Sequence, residues 1–287
     1  MTRLIVLGSG FLGTAVSEVG SRRLPTTVID PPFDERLRDR DDAASSALRG
    51  IVAGEQALDP DVAVINACGR VAGSRDELTD ANVDFAVWLC NALAGTGVRL
   101  VHVGSATELG DPGTSEPVGE SQPPAPRGDY AETKAAGTEA VLRARATGLH
   151  ALVARVFNVV GTPVPPSSPM RGWLDELSAF PAGGGRVEVW WPATTRDFAH
   201  VDDVASSLVD LALLDEPEVP LVNVCTGTGL TFGDIVGALA TRLGVEVTVE
   251  SLDRPGIECV VGDPTLLVGL TGAAPTMSLE RLARAVT

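Results

Sequence analysis

The chain has 287 residues, 44% of them hydrophobic, which suffices for one large α/β unit or a main domain with an appended lobe. A formal charge of −16 opposes binding to nucleic acid or to an anionic membrane, so an anionic ligand has to be met by local arginines. No apolar run approaches membrane-spanning length and no secretory leader is expected, which together predict a cytoplasmic protein.

In chain order, Leu4-Ile5-Val6-Leu7 is a short apolar run with β-branched members, read as a buried parallel strand. It runs into Gly8-Ser9-Gly10-Phe11-Leu12-Gly13 and then a helical stretch to about Arg22. Gly-x-Gly-x-x-Gly between a strand and a helix permits a tight turn and lets a pyrophosphate approach the backbone and the helix N-terminus. Thr26-Thr27-Val28-Ile29-Asp30 supplies a second strand ending in an acid, where a ribose hydroxyl needs an acceptor. These residues (Gly8, Gly10, Phe11, Leu12, Gly13 and Asp30) predict a dinucleotide site. A carboxylate at Asp30 repels the extra phosphate of NADP and favours NAD. The plainer reading of Asp30 is a turn residue before Pro31-Pro32. The mixed-charge run from Asp34 to Asp42 reads as a solvated segment, although Arg36, Arg38 and Arg40 leave NADP open.

Strand-like and helix-like segments alternate to about residue 160, which predicts a doubly wound parallel α/β sheet with helices on both faces. The chain holds one tyrosine and one lysine, and they fall at Tyr130 and Lys134. Two unique residues land at that offset, in that order, roughly once in 300 chains of this length. On a helix, i and i+4 share a face, so an ammonium stands near the phenol oxygen and lowers its pKa toward neutrality. The plainer reading is a surface helix that carries both by chance. Upstream, Ser105 and Thr107 end a strand, two residues apart and therefore on one side of it, so spacing does not choose between their hydroxyls. Pro112 to Pro126 is long for a connector and well placed to border a ligand. Cys68, Cys90, Cys225 and Cys259 lack Cys-x-x-Cys spacing and read as buried thiols, with no metal site expected.

Taken together these strings resemble the extended short-chain dehydrogenases/reductases of the nucleotide-sugar epimerase, dehydratase and reductase superfamily. Further strings carry the likeness: Asn66-Ala67-Cys68-Gly69, Asn82, the strand ending in Ser105-Ala106-Thr107-Glu108-Leu109-Gly110, Arg155-Val156-Phe157-Asn158, and Arg196-Asp197-Phe198-Ala199-His200-Val201-Asp202-Asp203-Val204. Val222 to Gly227, Arg254-Pro255 and Val261 to Pro264 extend it to the C-terminus, most like the GDP-4-keto-6-deoxymannose reductase branch. Departures are Leu7 and Leu109, where the family usually has glycine and an aromatic, and no evident acid for the adenine around Ile51-Val52-Ala53.

The resemblance implies a Rossmann domain over 1–160 with 196–225 returning to it, and a smaller substrate lobe from 161–195 and 226–287. It implies a Ser105, Tyr130, Lys134 triad, with Tyr130 moving the proton and Lys134 also bonding the nicotinamide ribose. Arg196 and Arg254 are the implied diphosphate ligands and Asn158 and Thr107 further substrate contacts, the plainer reading of each arginine being a surface ion pair. Trp190-Trp191 reads as ring stacking or simple packing, and His200 as structural. Sugar 4,6-dehydratases carry an acid close behind the catalytic hydroxyl; Ala106 and Thr107 occupy those places, and Glu108 is expected on the opposite face of the strand. The expected activity is NAD(P)-dependent 4-ketoreduction of a nucleotide sugar, with a 4-epimerase, a ketoreductase of a non-nucleotide natural product, or a non-catalytic binding protein as alternatives. The resemblance also implies a homodimer through helices around Asn82–Leu93 and Tyr130–Ala146, with Val83, Val87, Cys90, Val141 and Leu142 as candidate apolar positions.

Overall fold

Arg3–Leu7 form β1, whose Leu4 to Leu7 are at most 1% exposed, and every further strand of the main sheet runs parallel to it. The computed structural model describes residues 1–30, 42–166, 168–180, 184–215, 218–252 and 256–287. β1 is flanked by β2 (Thr26–Ile29) and β3 (Val62–Asn66), followed outward by β4 (Arg99–Ser105), β5 (Ala151–Val156) and β9 (Leu221–Val224). The order β2-β1-β3-β4-β5-β9 places a switch of direction between β1 and β3, where the carboxyl ends of strands leave a crevice. Because helices cover both faces, the strands are apolar without alternation, and all five residues of β3 are buried.

One face packs on α1 (Phe11–Ser21) and α7 (Val201–Ala212) through Val16, Val204, Leu208 and their neighbours. The other packs on α2 (Asp42–Leu58), α4 (Phe85–Leu93) and α5 (Asp129–Ala146). Ile51, Val52 and Ala53 lie inside α2, where Val52 faces the core and Ile51 and Ala53 are exposed. A short α3 (Arg75–Thr79) leads through a π-helical turn over Asp80–Asp84 into α4. Gly137 of α5 passes so close to that turn that a Cβ there would stand 2.1 Å from the Asn82 carbonyl. Of the apolar positions expected to face a partner, Cys90 and Val141 are consumed by this packing, while Val83, Val87 and Leu142 stay partly exposed.

One residue after β5, β6 (Asn158–Val160) leaves the main sheet and pairs with β8 (Thr195–His200). β8 also pairs with β10 (Gly229–Thr231) and β12 (Cys259–Val260). α6 (Pro169–Ser178), β7 (Gly185–Trp190), α8 (Phe232–Leu243), β11 (Val247–Leu252) and α10 (Leu279–Val286) complete this lobe around Met170, Leu177, Val187, Ile235, Leu239 and Leu282. A short α9 (Thr265–Thr271) packs Leu267 against the main core. Among the described residues no helix is long and apolar enough to cross a membrane.

Candidate active site

At the carboxyl end of β1 the turn residue Gly8 has φ +97°, a conformation that favours glycine. A Cβ on Gly13 would stand 2.0 Å from the Gly8 carbonyl oxygen, whereas one on Gly10 would meet nothing within 4 Å. The turn is therefore closed beneath and open above. Gly10 caps α1 without a side chain, so the first amides of the helix point at that open side unspent. Asp30 reaches the same loop: its Oδ1 accepts the Ser9 N–H at 2.7 Å and its Oδ2 accepts the Ser9 hydroxyl. The arginines Arg36, Arg38 and Arg40 lie outside the described residues.

Across the crevice, Ser105 ends β4 and caps a 3-10 turn over Ala106–Leu109. The Ser105 and Thr107 hydroxyls are 2.9 Å apart. That contact comes from the turn and not from strand alternation, because the strand stops at Ser105, where the Ser105 side chain accepts the Thr107 N–H and Glu108 accepts the Ser105 N–H. For the same reason Glu108 is not on the far face of a strand. It is folded back into the interior, 1% exposed.

Tyr130 sits in the first turn of α5 and Lys134 one turn on, itself only 5% exposed. Burial holds the Tyr130 phenol above its ordinary pKa, a hydrogen bond with Ser105 works against it, and the Glu108 charge adds to it. This is opposite to the lowering expected from Lys134, since a phenol removed from water favours its neutral form. Burial also holds Lys134 below its ordinary value, opposed by Glu108 and Cys68. The ammonium donates to the Val103 carbonyl at 2.7 Å. Nearby, Asn82 holds the 66–70 turn in place, donating to the Arg70 carbonyl at 3.0 Å and to the Thr133 hydroxyl at 3.1 Å while accepting the Arg70 N–H at 2.9 Å.

Thr107, Tyr130, Asn158 and Arg196 line one cleft of about 320 Å³ together with Arg127, Ile257 and Val260. Asn158 donates to the Asp197 carbonyl at 2.7 Å. The Arg196 guanidinium donates to the carbonyls of Thr195 at 2.8 Å and Ile257 at 3.0 Å, and its carbon lies 5.9 Å from the Phe232 ring centre. Burial lowers its pKa, with Cys259 and Asp111 opposing. Arg254 lies outside the described residues. His200 caps α7, accepting the Asp202 N–H at 3.2 Å.

Two features escaped the sequence. Asp197, fully buried, accepts from the Thr226 hydroxyl at 2.7 Å and from the backbone of Thr226 and Gly227 at 3.0 and 2.9 Å, clamping the cleft wall to the 226–227 turn. Glu108 and Arg155 form a buried pair at 4.0 Å behind Ser105. The acid was in view, but only the register of β4 on β5, which sets Gly104 beside Arg155, brings its partner there.

Comparison with known proteins gives a match of residues 4–225 to the NAD dependent epimerase/dehydratase family. A characterised relative, dTDP-6-deoxy-L-talose 4-dehydrogenase (NAD(P)(+)) of Kitasatospora kifunensis, is 34% identical over 198 residues, covering 67% of this chain and 62% of that protein. The match thus spans less than two thirds of the relative's length. RMD of Pseudomonas aeruginosa, solved with NADPH, superposes with a TM-score of 0.79 at 24% identity, over 99% of this chain and 95% of the other. UDP-glucose 4-epimerase of Thermus thermophilus, solved with NAD, gives 0.76 at 23% identity, over 99% and 97%. At these identities the two structures speak for the shared fold.

Proposed function

The chain belongs to the NAD dependent epimerase/dehydratase family, and on that premise we propose that it is an NAD(P)-dependent 4-ketoreductase of a nucleotide-linked sugar, cytoplasmic and homodimeric. The observation that carries the reading is the single cleft lined by Thr107, Tyr130, Asn158 and Arg196, with the Ser105 hydroxyl bonded to that of Thr107 and Lys134 one helical turn from Tyr130. The relative that acts as a dTDP-sugar 4-dehydrogenase supports redox chemistry at C4.

The residues fit a dinucleotide. Gly8 to Gly13 and the uncapped start of α1 would hold its pyrophosphate, Asp30 would accept from the adenosine ribose, and Lys134 would bond the nicotinamide ribose. When bound, the nicotinamide supplies or accepts the hydride. In reduction Tyr130 gives its proton to the sugar oxygen, and in oxidation the phenolate takes one back. Ser105 hydrogen-bonds the same oxygen, with Thr107 fixing its hydroxyl. Arg196 supplies a planar fork to the diphosphate, which a strongly acidic protein needs. The lobe carrying α6, α8 and α10 is assigned to substrate binding.

The purified protein, denatured and analysed for released dinucleotide, tests the reaction type. An empty site that binds NAD(P)H reversibly, with turnover of a 4-keto nucleotide sugar, supports the reductase. Retained NAD with interconversion of C4 epimers replaces it by the epimerase.

A further inference from the structure

Glu108 closes a capping box with Ser105, a role in which the acid ordinarily stands at the protein surface. Here its carboxylate is 1% exposed. A glutamine would close the same box without burying a charge, so the cap alone does not account for an acid. Donors and a cation face it. Oε1 accepts the Ser105 N–H at 2.7 Å and the Thr138 hydroxyl at 3.0 Å. Oε2 lies 4.0 Å from Nε of Arg155, a nitrogen with no other partner among the described residues. Room for the group exists because residue 104 is glycine: a Cβ there would stand 3.1 Å from both Glu108 Oε1 and Thr138 Oγ1.

We propose that Glu108 is a positioning residue which, beside Arg155, fixes the backbone of Ser105 and, as a carboxylate, places a negative charge within electrostatic reach of Tyr130 and Lys134 that reinforces the acid form of the phenol. The proposal rests on the 4-ketoreductase reading, in which Tyr130 must carry its proton to the carbonyl oxygen. Burial raises the pKa of Tyr130 and Glu108 adds to it; burial lowers that of Lys134 and Glu108 opposes it; burial, the first cause, raises Glu108 itself, and Lys134, Ser105, Arg155 and Thr138 restrain it. The charged and titratable groups around the pair are Lys134 on α5, Arg155 on β5 with Glu120 beyond it, His102 on β4 and Cys68 after β3, and at the cleft Arg127, Asp129 and Arg196. Beside these, Glu108 combines a bond to Ser105 with an electrostatic hold on Tyr130.

Tyr130 is the only tyrosine, so the tyrosinate absorbance band of the whole protein reports its ionisation directly, with no substrate required. Glu108→Gln keeps both acceptor contacts and removes the charge. With circular dichroism on the same samples to mark unfolding, its Tyr130 titration is expected at lower pH than in the wild type. The alkaline limb of the pH–rate profile for carbonyl reduction should move the same way. An unmoved titration overturns the proposal. Glu108→Asp keeps the charge but draws the acceptor back from Ser105; kcat should fall about 10-fold or more through misplacement of the hydroxyl, with KM little changed and the titration near wild type. Wild-type kcat in that variant overturns the positioning role even if Glu108→Gln does not fold. Should the wild type reduce no nucleotide sugar, the proposed function fails, and the titration still decides whether the charge acts on Tyr130.

Discussion

The Lys134 ammonium donates to the Val103 carbonyl at 2.7 Å, tying α5 to β4 two residues before Ser105. The lysine is therefore a strut between the two elements that carry Ser105 and Tyr130, in addition to any bond it makes to a ribose. An ammonium has three donors, and this one also stands near the turn after β3, where a Cβ on Gly69 would lie 3.9 Å from Nζ.

Replacing Lys134 with methionine removes the strut and the ribose donor together. We expect weaker NAD binding, with stability also lowered by about 1–3 kcal/mol because the Val103 carbonyl loses a partner in a partly buried place. Calorimetric titration of NAD and a denaturation curve on the same preparation check both. Unchanged affinity would confine Lys134 to the structural role.

Tyr130→Phe removes a single oxygen at the cleft surface and should leave the fold and NAD affinity near wild type. Turnover should fall by about 100-fold or more, the scale for a lost acid/base group. Steady-state kinetics at saturating cofactor measure it, and near-normal turnover would take Tyr130 out of the mechanism.

What the sequence disclosed follows from what is local. The turn Gly8 to Gly13 and its acid at Asp30 lie within one β-α-β unit and Tyr130 and Lys134 within one helix, so local spacing brings each set into view. Thr107 was correctly placed near Ser105 for an incorrect local reason, since a 3-10 turn brings the hydroxyls together where a strand was expected. The Asp197 clamp and the Glu108–Arg155 pair join residues far apart in the chain through strand register, which no local pattern encodes. Burial also reversed the expected direction at Tyr130: desolvation raises the phenol, Glu108 adds to it, and the Lys134 ammonium is bonded to the Val103 carbonyl instead.

Asp30 should set cofactor choice. Its carboxylate already bonds Ser9 at the lip of the pyrophosphate turn, so a 2′-phosphate arriving there meets a fixed negative charge. The wild type should prefer NAD(H) to NADP(H), and Asp30→Ala should narrow the gap in kcat/KM. Tighter binding of NADPH by the wild type would move the assignment to the arginines that follow Asp30.

Asp197 tests whether the signature beginning at Arg196 is architectural as well as chemical. Its carboxylate answers donors from Thr226 and Gly227, and an amide nitrogen in place of one oxygen would face N–H groups. Asp197→Asn should cost about 3 kcal/mol of stability in urea denaturation, the scale for buried donors left unsatisfied. A loss within experimental error would mean that the turn re-forms its bonds elsewhere.

Arg196 should govern the substrate and leave the cofactor alone. Its guanidinium lines the cleft beside Tyr130 and Asn158, whereas the Gly8–Gly13 turn lies at the end of β1. In a protein of charge −16, a diphosphate in that cleft meets a repulsive field unless a cation is fixed there. Arg196→Ala should raise KM for a nucleotide sugar about 10-fold or more, equivalent to roughly 1.4 kcal/mol, with NAD affinity nearly unchanged. The residue also bonds the Thr195 and Ile257 carbonyls, so a local loss of packing has to be separated from a loss of charge. Arg196→Lys does so: it keeps the charge without the fork, and partial recovery of affinity identifies a phosphate contact. UDP, GDP and dTDP titrated separately into the wild type extend the test beyond any one sugar. If none binds at millimolar concentration and Arg196→Ala leaves the KM of the true substrate unchanged, the ligand is not a nucleotide sugar, and an oxidoreductase of another carbonyl compound takes its place.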